Sequence, residues 1–93
     1  MNTVGAEIKV EGYVQGVGFR FFCHRIANAL GIKGWVRNDP DGSVSALAEG
    51  ERSQIEELID KLKIGPSSAS VKKVKVRWIP FSGEFKSFEV VRY

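Results

Sequence analysis

The chain holds one cysteine, Cys23, and one histidine, His24, among its 93 residues. A single thiol cannot close an internal disulfide, and two soft ligands cannot fill a zinc site, so neither a disulfide framework nor a structural metal is expected. No apolar run approaches the length of a membrane span, and Met1-Asn-Thr-Val-Gly-Ala-Glu7 lacks both the basic stretch and the apolar stretch of a signal peptide. A soluble, cytoplasmic protein without membrane contact is the expectation. Repeats, low-complexity tracts and interdomain linkers are also missing. With 43% apolar residues the chain is long enough for one core and too short for two, so a single domain over residues 1–93 is expected.

A charge excess of one sign is also lacking. The formal net charge is only +3, and the 14 Lys and Arg residues run from Lys9 to Arg92 with acidic residues among them. The densest basic run, Lys72-Lys-Val-Lys-Val-Arg77, places its charges largely at alternate positions and so along one face of a strand. It reads as a solvated sheet face or edge, where lysine also discourages pairing with other chains. A nucleic-acid footprint would combine a basic pI with clustered charge, and the clustering is absent.

What is present is a regular alternation of element signals. Ile8 and Val10 share one face of a first strand over Glu7–Glu11. Phe19, Phe22, Cys23, Ile26, Ala27 and Leu30 recur at helical spacing, and Gly31 stands where that helix would end. Gly34–Asn38 and Ser43–Ala48 read as two strands joined by Asp39-Pro-Asp-Gly42, a turn in which proline fixes φ and glycine supplies positive φ. Ser53-Gln-Ile-Glu56 has capping-box spacing ahead of a second apolar stripe, Ile55, Leu58, Ile59 and Leu62, which Gly65-Pro66 stops. Val74, Val76 and Trp78 then alternate with charges, and Phe88–Tyr93 supplies a last short strand. The order β-α-β-β-α-β, with room for a short fifth strand, predicts an α+β, ferredoxin-like sandwich: one antiparallel sheet carrying both helices on one face. Trp35, Trp78 and the phenylalanines are read as core rather than as a stacking platform.

The chemistry concentrates between the first strand and the first helix. Gly12-Tyr-Val-Gln-Gly-Val-Gly-Phe-Arg20 sets glycines and an arginine at a helix N-terminus, where unsatisfied N–H groups and the positive end of the helix dipole converge on an anion. The backbone of Gln15, Gly16, Val17, Gly18, Phe19 and Arg20 is the candidate phosphate cradle. Arg20 adds a planar, permanently charged fork suited to phosphate oxygens, and its position in a first helical turn opposes the dipole unless an anion is bound.

Taken with Gly34-Trp-Val-Arg-Asn38 and Asp41-Gly-Ser-Val44, this segment resembles the two signature segments of the acylphosphatases. Glu49-Gly50 and Gly65-Pro66 extend the likeness over nearly the whole chain. The resemblance implies a small, cofactor-free hydrolase that splits acyl phosphates into a carboxylate and inorganic phosphate; a metal-independent monomer acting on a small molecule and not on nucleic acid is the expectation. It places phosphate binding on Arg20 and the positioning of water on Asn38. It also marks two departures, since Tyr13 and Ser70 stand where the family often has a basic residue.

The residues suit that chemistry. An acyl phosphate carries a good leaving group, so the protein mainly positions reactants and stabilises spread negative charge. The Asn38 amide can both accept and donate, and so can hold a water in line with the leaving oxygen. Neither Arg20 nor Asn38 can act as a base near pH 7, and no paired carboxylate or histidine lies beside the two motifs, so a substrate phosphate oxygen is the expected proton acceptor. His24 is the protein group that would replace it in that role. Cys23 lies on the apolar stripe and reads as a buried hydrophobe rather than a nucleophile. Broad specificity toward the acyl group is expected of a site that reads phosphate and a carbonyl.

Two other readings compete. An anion-binding regulatory domain would keep the phosphate loop without turnover, as acylphosphatase-like domains inside larger maturation proteins suggest by resemblance; retention of both Arg20 and Asn38 favours the enzyme. An RNA-binding module of the same general fold would need exposed aromatics in a Lys/Arg-Gly-Phe/Tyr-Gly/Ala-Phe-Val-x-Phe/Tyr strand, of which Gly18-Phe-Arg-Phe-Phe22 is only a fragment, at a helix start.

Overall fold

The computed structural model describes residues 2–92. Seven elements follow one another: β1 (Thr3–Tyr13), α1 (Phe19–Ala29), β2 (Lys33–Asn38), β3 (Val44–Glu51), α2 (Arg52–Ile64), β4 (Ser70–Ile79) and β5 (Phe88–Val90). The strands form one sheet in the order β4-β1-β3-β2-β5. The first four pair antiparallel, as the pattern predicts, and β5 adds a short fifth strand that runs parallel to β2. Both helices pack on the same side. α1 lies over β2 and β5, and α2 lies over β1, β3 and β4.

Alternation decides which side chains meet the helices. Ala6, Ile8 and Val10 on β1, Val44, Ala46 and Ala48 on β3, and Val36 on β2 face inward and are buried. The helices return Phe19, Cys23 and Ala27 from α1 and Ile55, Leu58, Ile59 and Leu62 from α2. Truncating a core ring such as Phe19 to alanine would cost about 3–5 kcal/mol.

The outer face carries the charges. Arg77 pairs with Glu7 at 2.7 Å and Lys75 with Glu11 at 3.0 Å, so the basic run of β4 is a solvated face neutralised by β1. Glu49 is the exception on this side. It is buried, because the segment after β4 folds over it: its carboxylate accepts from Ser82 N at 2.8 Å, Ser82 Oγ at 2.7 Å and Gly83 N at 3.1 Å.

Four details differ from the sequence reading. β1 begins four residues earlier, because Thr3 through Ala6 find partners on β3. The Ser53–Glu56 capping box is not used: α2 begins at Arg52 with Glu51 as its N-cap residue, no side chain caps it, and Arg52 N instead donates to the carbonyl of Asn2 at 2.9 Å. Trp35 is not core, since Gly34, Val36 and Asn38 take the inner positions of β2 and leave its ring outside under the Arg37 guanidinium, 4.7 Å away. Phe21 and Phe81 are exposed as well. The last strand is confined to Phe88–Val90, and Tyr93 lies outside the described residues.

Candidate active site

The segment between β1 and α1 is shaped by two glycines. Gly16 and Gly18 adopt φ of 74° and 78°, the left-handed region that an L side chain rarely enters, although open space surrounds both. Conformation rather than crowding therefore demands glycine here. Gly18 is also the N-cap residue of α1, with no side chain to cap the helix and no acidic residue in the first turn. Among the described residues, none of the N–H groups from Gln15 to Arg20 donates to a backbone carbonyl; the first to do so is Phe22, to Gly18 at 3.0 Å. A run of uncommitted donors at the positive end of a helix is an anion site.

A pocket of about 100 Å³ opens at this point, lined by Val14, Gly16, Gly18, Phe19, Arg20, Phe21 and Asn38. Of the residues expected to hold phosphate, it gathers Gly16, Gly18, Phe19 and Arg20, and it brings Asn38 to them from the end of β2. Gln15 and Val17 are outside that lining. The Gln15 side chain has another task. Its amide nitrogen donates to the carbonyl of Asp39 at 2.7 Å and to that of Ser43 at 2.9 Å. Both partners are carbonyls, so both amide hydrogens are used and the loop is tied to the turn that follows Asn38.

That turn is itself pinned. Asp39 N donates to the Ser43 carbonyl at 2.8 Å, and the Asp39 carboxylate accepts from Arg37 Nε at 3.2 Å and from the hydroxyl of Ser45, while the Ser43 hydroxyl lies between the carboxylates of Asp39 and Asp41. Burial works to raise the Asp39 pKa, but the hydrogen bonds from Ser45, Ser43 and Arg37 outweigh it and hold the carboxyl below its ordinary value. Asp41 is held far lower by the Ser43 hydroxyl and N–H and by Lys9, 2.9 Å away, and Lys9 is raised in return by that carboxylate. Asn38 thus sits at the end of a strand whose exit is locked. Its own side chain is half-buried and belongs to a residue of the pocket lining.

Arg20 is oriented from the far end of the chain, since its Nη1 donates to the carbonyl of Val91 at 3.1 Å. Among the described residues, its other guanidinium N–H groups have no protein acceptor. His24 does not join the pocket. Its ring shares a 3.0 Å hydrogen bond with the Asn28 amide and stands 6.4 Å from the Phe88 ring. Cys23 is fully buried, and burial pushes its thiol up to about 12, so it holds no thiolate to attack with. Gly18–Phe22 opens α1 instead of forming a strand, which removes the stacking surface an RNA module needs. Tyr13 and Ser70, the two departures from the family pattern, prove to be register partners across β1 and β4 at the entrance to the loop.

Sequence reasoning missed three contributors. The partners of the Gln15 side chain lie 24 and 28 positions away, and the carbonyl that holds Arg20 lies 71 positions away, so nothing local signals either. Phe21 had a signal: it is an apolar residue off the core stripe of α1.

Known proteins share this sequence and this fold. The acylphosphatase family model matches residues 6–90. An acylphosphatase of Acaryochloris marina is 47% identical over 91 residues, covering 98% of this chain and 97% of that protein. The crystal structure of acylphosphatase from Bacillus subtilis superposes with a TM-score of 0.92 at 32% identity, covering 96% of this chain and 99% of that one. Full-length HypF in its phosphate- and nucleotide-bound form matches with a TM-score of 0.85 at 32% identity, over 98% of this chain and 12% of HypF.

Proposed function

The chain belongs to the acylphosphatase family and hydrolyses the carboxyl–phosphate bond of acyl phosphates, and from that premise we propose that the pocket between the 15–20 loop and Asn38 performs the reaction. The observation that carries this reading is that Gly16, Gly18, Arg20 and Asn38, drawn from two separate segments, line one small pocket.

The free N–H groups of the loop and the Arg20 guanidinium hold the phosphoryl oxygens and stabilise the charge they carry in the transition state. Asn38 holds a water on the side opposite the leaving oxygen. A bond forms between the water oxygen and phosphorus as the bond from phosphorus to the acyl oxygen breaks, and the electron pair leaves with the carboxylate. The water's proton passes to a phosphoryl oxygen, a route favoured by the absence of His24 from the pocket lining. Arg20 and Asn38 are the catalytic residues in this account, and the cradle is the backbone of Gln15 through Arg20. No cofactor or metal enters it. A monomer at work in the cytoplasm fits this reading, and the single thiol, Cys23, is buried and unpaired.

The test is the hydrolysis of benzoyl phosphate in EDTA by the wild type beside Arg20→Ala and Asn38→Ala. Metal-free turnover that falls at least roughly 10²-fold in each folded variant is expected. Unchanged turnover in either variant removes that residue from the mechanism, and a rate profile governed by a protein group of pKa near 6.5 would restore His24 as the base.

A further inference from the structure

Among the described residues, four large apolar side chains are exposed: Tyr13, Phe21, Ile64 and Phe81. Single surface apolar residues are ordinary and need no ligand. Phe21 differs from the other three because it alone also lines the phosphate pocket, while 53% of it remains accessible. A residue that belongs to the lining while about half of it lies in solvent stands at the mouth.

The chain end keeps it there. Val91 offers its carbonyl to Arg20, and the next residue, Arg92, lays its guanidinium 5.3 Å from the centre of the Phe21 ring. The ring is thus fixed by a cation on it and by its place on α1, a rigid element one residue beyond Arg20.

The geometry of the substrate supplies the rest. A pocket of about 100 Å³ that takes the phosphoryl group leaves the acyl group at the rim. Two surfaces meet that rim. One is a hollow of about 480 Å³ lined by Gln15, Arg37, Asn38, Asp39 and Pro40, where an apolar acyl group would meet an ion pair and an amide. The other is the exposed Phe21, which belongs to the pocket lining and not to that hollow. Apolar and aromatic groups gain from leaving water against such a ring, and a flat group gains further from offset stacking or edge contact.

We propose that Phe21, with Arg92 stacked on it, is the acyl-group subsite of this enzyme, and that it favours acyl phosphates with a flat apolar acyl group over acetyl phosphate. The proposal rests on the acyl phosphate reading above and narrows the broad specificity expected from the sequence. Phe21 is a specificity residue here; it takes no part in the transfer of the phosphoryl group.

The experiment compares kcat/KM for benzoyl phosphate and acetyl phosphate in the wild type, Phe21→Ala and Phe21→Leu, with competitive inhibition by inorganic phosphate measured on each. Taking the ratio of the two substrates and comparing it between enzymes cancels their intrinsic difference in reactivity. The benzoyl-to-acetyl ratio is expected to fall about tenfold in Phe21→Ala, through KM more than kcat, and to recover in part in Phe21→Leu, while phosphate still inhibits. An unchanged ratio in a variant that phosphate still inhibits overturns the subsite and leaves the hydrolase intact. Loss of phosphate inhibition together with both activities assigns Phe21 to the phosphate pocket instead and also overturns it. If the wild type hydrolyses neither compound, the acyl phosphate reading fails and the subsite with it.

Discussion

The side-chain amide of Gln15 donates to the backbone carbonyl of Asp39 at 2.7 Å, and through that bond the loop we propose as the phosphate cradle is fastened to the turn beside Asn38. Two segments that meet only in three dimensions are held in register by one side chain, which also reaches the carbonyl of Ser43. Rate in a positioning enzyme depends on such registration, because a displacement of about 1 Å can cost about 10²-fold.

Gln15→Ala is therefore expected to lower kcat by about 10²-fold while leaving Arg20 and Asn38 in the protein. It should also destabilise the fold by about 1–3 kcal/mol, since two part-buried carbonyls lose their donors. Urea unfolding and steady-state kinetics on the same variant separate the two effects. A kcat equal to that of the wild type would show that the tie is structural only.

Arg20→Lys keeps the charge and discards the fork. A lysine cannot satisfy the Val91 carbonyl and a phosphoryl oxygen with one rigid plane, so most of the Arg20→Ala loss, roughly 10²-fold or more, is expected to persist. Recovery of near wild-type turnover with lysine would mean that point charge alone suffices.

The turn should be sensitive to acid. Asp39 and Asp41 are both held below their ordinary values in the folded state. A carboxyl of that kind contributes stability that is complete above its unfolded pKa, about 3.9, and is lost as pH falls through the lower folded value. The melting temperature is expected to drop as pH falls below about 4, and Asp39→Asn should flatten that acid limb. Lys9 behaves in the opposite sense. Its raised pKa gives stability that is complete below about 10.4 and lost as pH rises through the higher folded value. Thermal melts from pH 2 to pH 11 on the wild type, Asp39→Asn and Lys9→Gln check all three statements.

Tyr13 and Ser70 face each other beside the loop, and neither carries a positive charge. Tyr13→Lys, at an exposed position, should raise kcat/KM up to about tenfold at low ionic strength by drawing in the anionic substrate. The gain should fade as salt shortens the screening length to about 8 Å. A gain that does not depend on salt would point to contact rather than to attraction.

Most of the fold was legible because β1 to β4 and both helices write their inner faces at period two or at helical spacing, and the glycines at 16 and 18 announce a backbone that side chains avoid. That Arg20 and Asn38 share one pocket was foreshadowed in the same way, as both flank local turns. What was hidden depends on partners far along the chain. β5 runs parallel to β2 only because the segment after Glu49's cap returns along that edge, and the Ser53–Glu56 spacing is silent because Arg52 is already bonded to Asn2. Trp35 misled because its type suggests burial, while the alternation of β2 sends it outward.

The pairing of β1 has a consequence for synthesis. Of the five strands, β1 is made before the others yet lies in the interior of the sheet, flanked by β3 and by β4, and Glu7 must wait for Arg77. Arg20 waits longer still, for Val91. A nascent chain halted before residue 70 therefore presents β1 with one edge unpaired and the arginine untethered. Until Val91 is made, the Arg20 guanidinium lacks the carbonyl that orients it, so the pocket is completed only after all five strands have been synthesised.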